Sequence, residues 1–263
     1  MADFAHLDHG PDEYPPWGSL ALDCFMLERW DATFGDGDEQ RRNLARDYLS
    51  LGQLGRQPYA EEASQGGIQP TETQVANILR PLRSPVLRRV AKTLNALDKF
   101  GQAWLRIDYS DDERHKAFYE ESLDLDFGEN LYEDSTILSE KRYYDFSSWT
   151  ALLEILPDMF DGTSSSKVTA ESYREGNRRR SIEHDYMDNK QDPERIKDLL
   201  AKQQNCCCMR FLLVEDAEMF TLDPPRFQAL WLDDCGNIVR KTRMTAQEVC
   251  HYVPLAEEGM ASE

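Results

Sequence analysis

The sequence predicts an α+β protein, in which a helical N-terminal half packs with a small mixed sheet. Three observations carry that expectation. Apolar residues recur at helical spacing in the first hundred positions, as in Leu87, Val90, Leu94 and Leu97. Short apolar runs near 103–107, 208–214, 227–232 and 238–241 have the length and composition of strands. Helix start signals such as Thr71, Ser84-Pro85 and Ser110 stand just before periodic segments, where a cap is needed.

Residues 1–18 contain Gly10, Pro11, Pro15, Pro16 and Gly18 and read as an irregular arm whose aromatics Phe4, Tyr14 and Trp17 dock it onto the body. A helical region follows over 19–100. Leu22, Phe25, Met26 and Trp30 mark its first helix, and Gly35-Asp36-Gly37-Asp38 breaks it before a second over 38–51. The stretch 52–70, with four glycines, Pro58 and Pro70, reads as a mobile loop. Thr71 caps a helix over 72–80 that Pro81 stops, and Ser84-Pro85 opens the next.

The α+β region spans 101–255. Its first strand, 103–107, runs into Ser110-Asp111-Asp112-Glu113, a cap with acids in the first turn where the helix dipole favours them. The acidic, aromatic stretch 124–145 shows weak periodicity, and Ser147 or Ser148 caps a helix that Pro157 ends. Residues 161–193 are almost devoid of apolar side chains and read as a flexible loop, followed by a short helix over 194–203. After the remaining strands Thr245 caps a last helix carrying Val249 and Tyr252, and 256–263 is a tail.

The chain carries 49 acidic against 30 basic residues, a formal net charge of -19. Such a field disfavours non-specific binding to phosphate backbones or anionic lipid, so neither nucleic acid nor membrane is an expected partner. No apolar run approaches the ~18 residues a membrane helix needs. The opening Met-Ala-Asp-Phe-Ala-His lacks the basic and apolar regions of a secretory signal, and the six cysteines show no disulfide framework. The expectation is a cytoplasmic or nuclear protein.

Two segments together resemble a small domain family built on a strand, a D-[FY]-S-D-D junction and a helix, followed by an apolar strand ending in an acid, a second apolar strand and a C-terminal helix. The matching residues are Leu105 to Asp112, Phe211 to Asp216, Phe227 to Leu232 and the helix near 245–252. The resemblance covers about 103–255. That family has no assigned activity or binding residues, so the resemblance brings no function with it.

Phosphate-binding glycine loops, zinc-protease helices and nucleophile elbows are all missing from the sequence. Cys206-Cys207-Cys208 has the wrong spacing for zinc, since neighbouring side chains on a strand point to opposite faces. Asp124 to Glu129 resembles a calcium loop in the wrong register. No metal and no cofactor is therefore expected. What remains is an acidic accessory or protein-interaction role, with a basic segment in 80–99 as the surface for an acidic partner through Arg88, Arg89 and Lys92. Between 71 and 100 there are six basic and two acidic residues, against five and fifteen in 101–160, so the two regions also suit mutual attraction. The alternative is a small-molecule site or enzyme at the ends of the 103–107 and 208–214 strands. There Asp108, Ser110, Asp111, His115, Glu215 and Asp216 gather. Arg178-Arg179-Arg180 followed by Ser181 fits a basophilic kinase target.

Overall fold

Helices α1 (Ala21–Arg29), α2 (Gly37–Ser50) and α3 (Gly52–Ser64) form the first layer. The computed structural model describes residues 14–96, 102–124, 136–161 and 210–249. Asp36 caps α2 by accepting from the amides of Asp38 and Glu39. Helix α3 replaces the loop expected from its glycines and Pro58. Gly52, Arg56 and Tyr59 fall on one face and are buried, so tertiary anchoring outweighs weak local propensity. Gly52 itself sits at φ +64 where the chain turns out of α2, a conformation that favours glycine.

Thr71 and Gln74 close a capping box at the start of α4, which runs through Glu72–Gln74, a π-helical stretch Val75–Leu79 and Arg80–Leu82. Pro81 therefore lies inside the helical run, which ends two residues later than the sequence suggests as Arg83 turns extended. Ser84 accepts from the amide of Leu87 at the start of α5 (Pro85–Ala96), whose Leu87, Val90 and Leu94 are buried.

A five-stranded sheet follows in the order β2-β1-β3-β4-β5. Its strands are β1 (Gln102–Arg106), β2 (Thr136–Leu138), β3 (Arg210–Glu215), β4 (Phe227–Leu232) and β5 (Ile238–Met244). Strand β1 is parallel to β2 and β3, whereas β3, β4 and β5 form an antiparallel meander. The fold class is α+β, as the sequence predicts. Strand β2 was not legible because three residues, two of them buried, show no alternation. Strand β5 runs on to Met244 because an edge strand tolerates the charged residues that end its apolar pattern.

The sheet is covered on both faces. Ala103, Leu105, Leu212, Val214, Leu230 and Leu232 pack against α5 and the segments 144–160. Those segments are α7 (Lys141–Tyr144), a 3-10 turn Trp149–Ala151 leading into α8 (Leu152–Ile155), and the 3-10 turn Pro157–Phe160. Trp104, Phe211, Leu213, Phe227 and Trp231 face the other way, toward Phe118 of α6 (Asp112–Asp124) and Val249. Each covered Leu or Phe side chain contributes ~1.5–3 kcal/mol, so the two faces supply the main driving force for this layer order.

A row of buried charges joins the helices to the sheet layer. Arg88 donates to Asp23 at 2.6 Å, Arg83 lies 3.6 Å from Asp23 and 2.8 Å from both Asp158 oxygens, and Arg56 donates to Asp161 at 2.6 Å. Tyr48 donates its hydroxyl to the second Asp161 oxygen. Burial outweighs the Arg56 charge and pushes the Asp161 carboxyl up to about 6, and burial also drives the Tyr48 phenol well above its ordinary range. On strand β3, Arg210 faces the helical side and donates to the carbonyls of Leu94 and Met159.

Candidate functional site

At the C-terminal ends of β1 and β3 the parallel register sets Arg106 directly opposite Glu215. Both side chains lie on the face shared by Trp104, because residues two apart on a strand share a face. Glu215 is completely buried and gathers two donors and a guanidinium charge. Trp104 Nε1 donates at 3.3 Å, Arg106 Nε stands at 3.4 Å, and His115 Nδ1 reaches the two carboxylate oxygens at 2.8 and 2.7 Å. A carboxylate only accepts, so the Nδ1 proton points at Glu215 and Nε2 is the nitrogen left for other work.

Helix α6 delivers His115 to this position. Asp111 caps it by accepting from the Arg114 amide at 2.9 Å, so the cap is Asp111 rather than Ser110. The His115 ring stacks on Tyr119 with centroids 6.4 Å apart and meets Trp104 edge-on at 6.2 Å, which holds the imidazole plane. Burial pushes the Tyr119 phenol up. The His115 side chain is 12% exposed, so the ring is largely covered.

The sequence-nominated residues separate into three groups. His115 and Glu215 are in direct contact, as described. Asp108 and Ser110 bond to each other, the Ser110 amide and hydroxyl each donating at 3.0 Å, and neither reaches His115. Their link to the site is Arg106, whose Nε donates to the Asp108 carbonyl at 2.8 Å and whose Nη2 donates to Asp112 at 2.6 Å. Asp216 turns away and is held by Arg243 through both oxygens at 2.8 and 2.7 Å. Trp104, Arg106 and Arg243 were missed. Period-two alternation was the available signal for Arg106, since it shares a parity with Trp104 at the end of a buried strand.

The partner surface expected on 80–99 is corrected by burial. Arg88 is 1% exposed, donates to Asp23 and to the Pro16 carbonyl, and lies 4.2 Å over the Trp17 ring. Arg89 is also buried, with its guanidinium over Tyr14. These arginines hold the segment 14–18 against α5 and are spent inside the fold. Lys92 alone of the three is exposed. Ser181, most of the 161–193 loop, Cys206 to Cys208 and the 256–263 tail lie outside the described residues.

Among the described residues one group brings metal-ligand atoms together, Asp233, Asp234 and Cys235 in the turn between β4 and β5. Both Asp233 oxygens and one Asp234 oxygen are already engaged. Asp233 accepts from the Cys235 and Asn237 amides at 2.9 and 2.8 Å, and Asp234 accepts from the Gln53 amide at 2.8 Å. Burial, then Asp234, pushes the Cys235 thiol up, away from the thiolate a metal prefers. The group staples the turn to the start of α3. Among the described residues no helix is long and apolar enough to cross a membrane.

No family model, characterised protein or solved structure matches this chain.

Proposed function

We propose that this chain is a small-molecule-binding protein with its site at the C-terminal ends of β1 and β3, where His115 exchanges a proton with the bound molecule. One observation carries the reading: His115 Nδ1 lies within 2.8 Å of both oxygens of the buried Glu215 carboxylate. A carboxylate behind Nδ1 fixes the tautomer and ring orientation, the logic of the histidine–carboxylate half of a triad.

The test is a protein-observed NMR screen of heteroaromatic and carboxylic-acid fragments against wild type and His115→Gln, reading imidazole and amide signals, with melting temperatures recorded for both. The expected result is a fragment class that shifts the His115 ring signals and stops binding in the variant. Fragments that bind both proteins equally, or none that moves the His115 ring, would overturn the reading.

A further inference from the structure

We propose that the outer edge of β5 binds an extended acidic segment of a partner protein by adding it to the sheet as a sixth strand. Among the described residues β5 pairs with β4 alone and ends the sheet. It is seven residues long, Ile-Val-Arg-Lys-Thr-Arg-Met, with three basic residues and no acid, in a chain of net charge -19. Alternate residues of an edge strand direct their N–H and C=O groups away from the sheet, a ready template for an incoming strand. Ile238 is 45% exposed, and Lys241 and Thr242 are exposed beside it. An incoming strand therefore meets an apolar residue at the start of β5 and a cation further along.

Charge selects the occupant. A second copy of this chain pairing β5 with β5 would set basic side chains against basic side chains, and like charges facing across strands are destabilising. An acidic strand meets the opposite situation at the exposed Lys241. Arg243 is held by Asp216 and Glu218, at 2.7 and 2.6 Å, so it braces the strand while Lys241 offers the exposed charge. This keeps a partner-binding role for an acidic segment but moves it from the buried Arg88 and Arg89 to the far edge of the sheet. It is independent of the His115 site.

The probe is a synthetic eight-residue peptide alternating Glu and Val, titrated into the full 15N-labelled chain, with a Lys–Val peptide as control. The expected result is amide shifts confined to 238–244 and the facing β4 residues. Binding should weaken as salt rises, weaken several-fold in Lys241→Glu, where an exposed opposite-charge contact becomes a like-charge one, and be undetectable for the Lys–Val peptide. Lys241 is exposed, so the variant keeps its fold, which an unchanged melting temperature verifies. Three outcomes overturn the proposal: no shift in 238–244 at millimolar peptide, equal binding of both peptides, or a concentration-dependent dimer lost in Lys241→Glu.

Discussion

Replacing Arg88 by alanine tests whether the basic residues of α5 serve the fold or a partner. The guanidinium donates to Asp23 Oδ1 at 2.6 Å and to the Pro16 carbonyl at 2.7 Å, over the Trp17 ring at 4.2 Å. Truncation leaves Asp23 buried with only the amides of Gly18 and Leu20 and the more distant Arg83 as partners. Breaking a buried pair from one side costs ~3–5 kcal/mol, and the cation–π contact and the buried stem are part of the same loss. We expect about 4 kcal/mol in total, a large share of the ~5–15 kcal/mol that holds a typical domain folded. Urea unfolding followed by tryptophan fluorescence reads this directly. Lys92→Ala is the control and should stay within ~0.5 kcal/mol of wild type, since it touches only the surface. If Arg88→Ala also lies within ~1 kcal/mol of wild type, the buried-pair argument is wrong and the basic helix face returns as a docking surface. By the same reasoning, a partner lost on Arg88→Glu with Arg89→Glu reports damage to the fold.

Three further outcomes follow from the same structure. Asp161 titrates at about 6 when folded against 3.8 as a free carboxyl, because burial disfavours its charge. The folded state therefore binds the extra proton between about pH 4 and 6, and the stability this gives, about 3 kcal/mol, is present below pH 4 and lost as pH rises through 6. The charges facing it are Arg56 and Asp158, with the Tyr48 hydroxyl, and Asp161→Asn should flatten the stability profile in that window as measured by urea midpoints. Glu215→Gln places an amide donor among the Arg106, His115 and Trp104 donors and should cost about 3 kcal/mol. Its sharper signature is the loss of a single His115 tautomer in imidazole 15N spectra, and an unchanged spectrum would refute the orienting role. Gly18 and Gly67 cross at φ +85 and +68, where an added Cβ would sit 2.0 and 2.1 Å from backbone oxygens, so either Gly→Ala change should unfold or severely destabilise the chain. Gly35→Ala, with nothing within 4 Å, should be neutral in the same thermal melt.

The fold class was readable from periodicity because long amphipathic helices and buried strands each impose a spacing of their own. Helix α5 shows this best, with its apolar stripe and its Ser84-Pro85 start both visible in the chain. What stayed hidden depends on tertiary partners. Helix α3 forms through Arg56 and Tyr59, and no local rule assigns an arginine to the interior until Asp161 and the carbonyls of Leu49 and Asp234 are in place around it. The site was half legible. Strand-end placement brought His115 and Glu215 into one list, but Asp108, Ser110 and Asp111 joined them for local reasons, as turn and cap residues. Arg88 and Arg89 misled for the opposite reason, since charge on a helix reads as surface until the segment 14–18 is seen lying across it.

Two kinds of buried charge coexist in this chain, and the difference between them bears on function. Asp23, Asp158 and Asp161 meet arginines inside the helical interface, where both ends of each pair are enclosed. Such pairs contribute little net stability over apolar packing, but they fix which helix sits against which segment. Glu215 is different. Arg106 balances its charge and Trp104 Nε1 occupies one of its oxygens. A further donor from a third element adds nothing that neutralisation requires, yet His115 is aimed at both oxygens from α6. An imidazole fixed from behind by an enclosed carboxylate has one nitrogen committed to the protein and one available to a ligand, which the arginine pairs never offer. The stability of His115→Ala separates the two kinds. A structural Glu215 partner would cost as much to remove as Arg88, whereas a positioned functional one should cost about 1 kcal/mol or less, because Arg106 and Trp104 remain to satisfy the carboxylate.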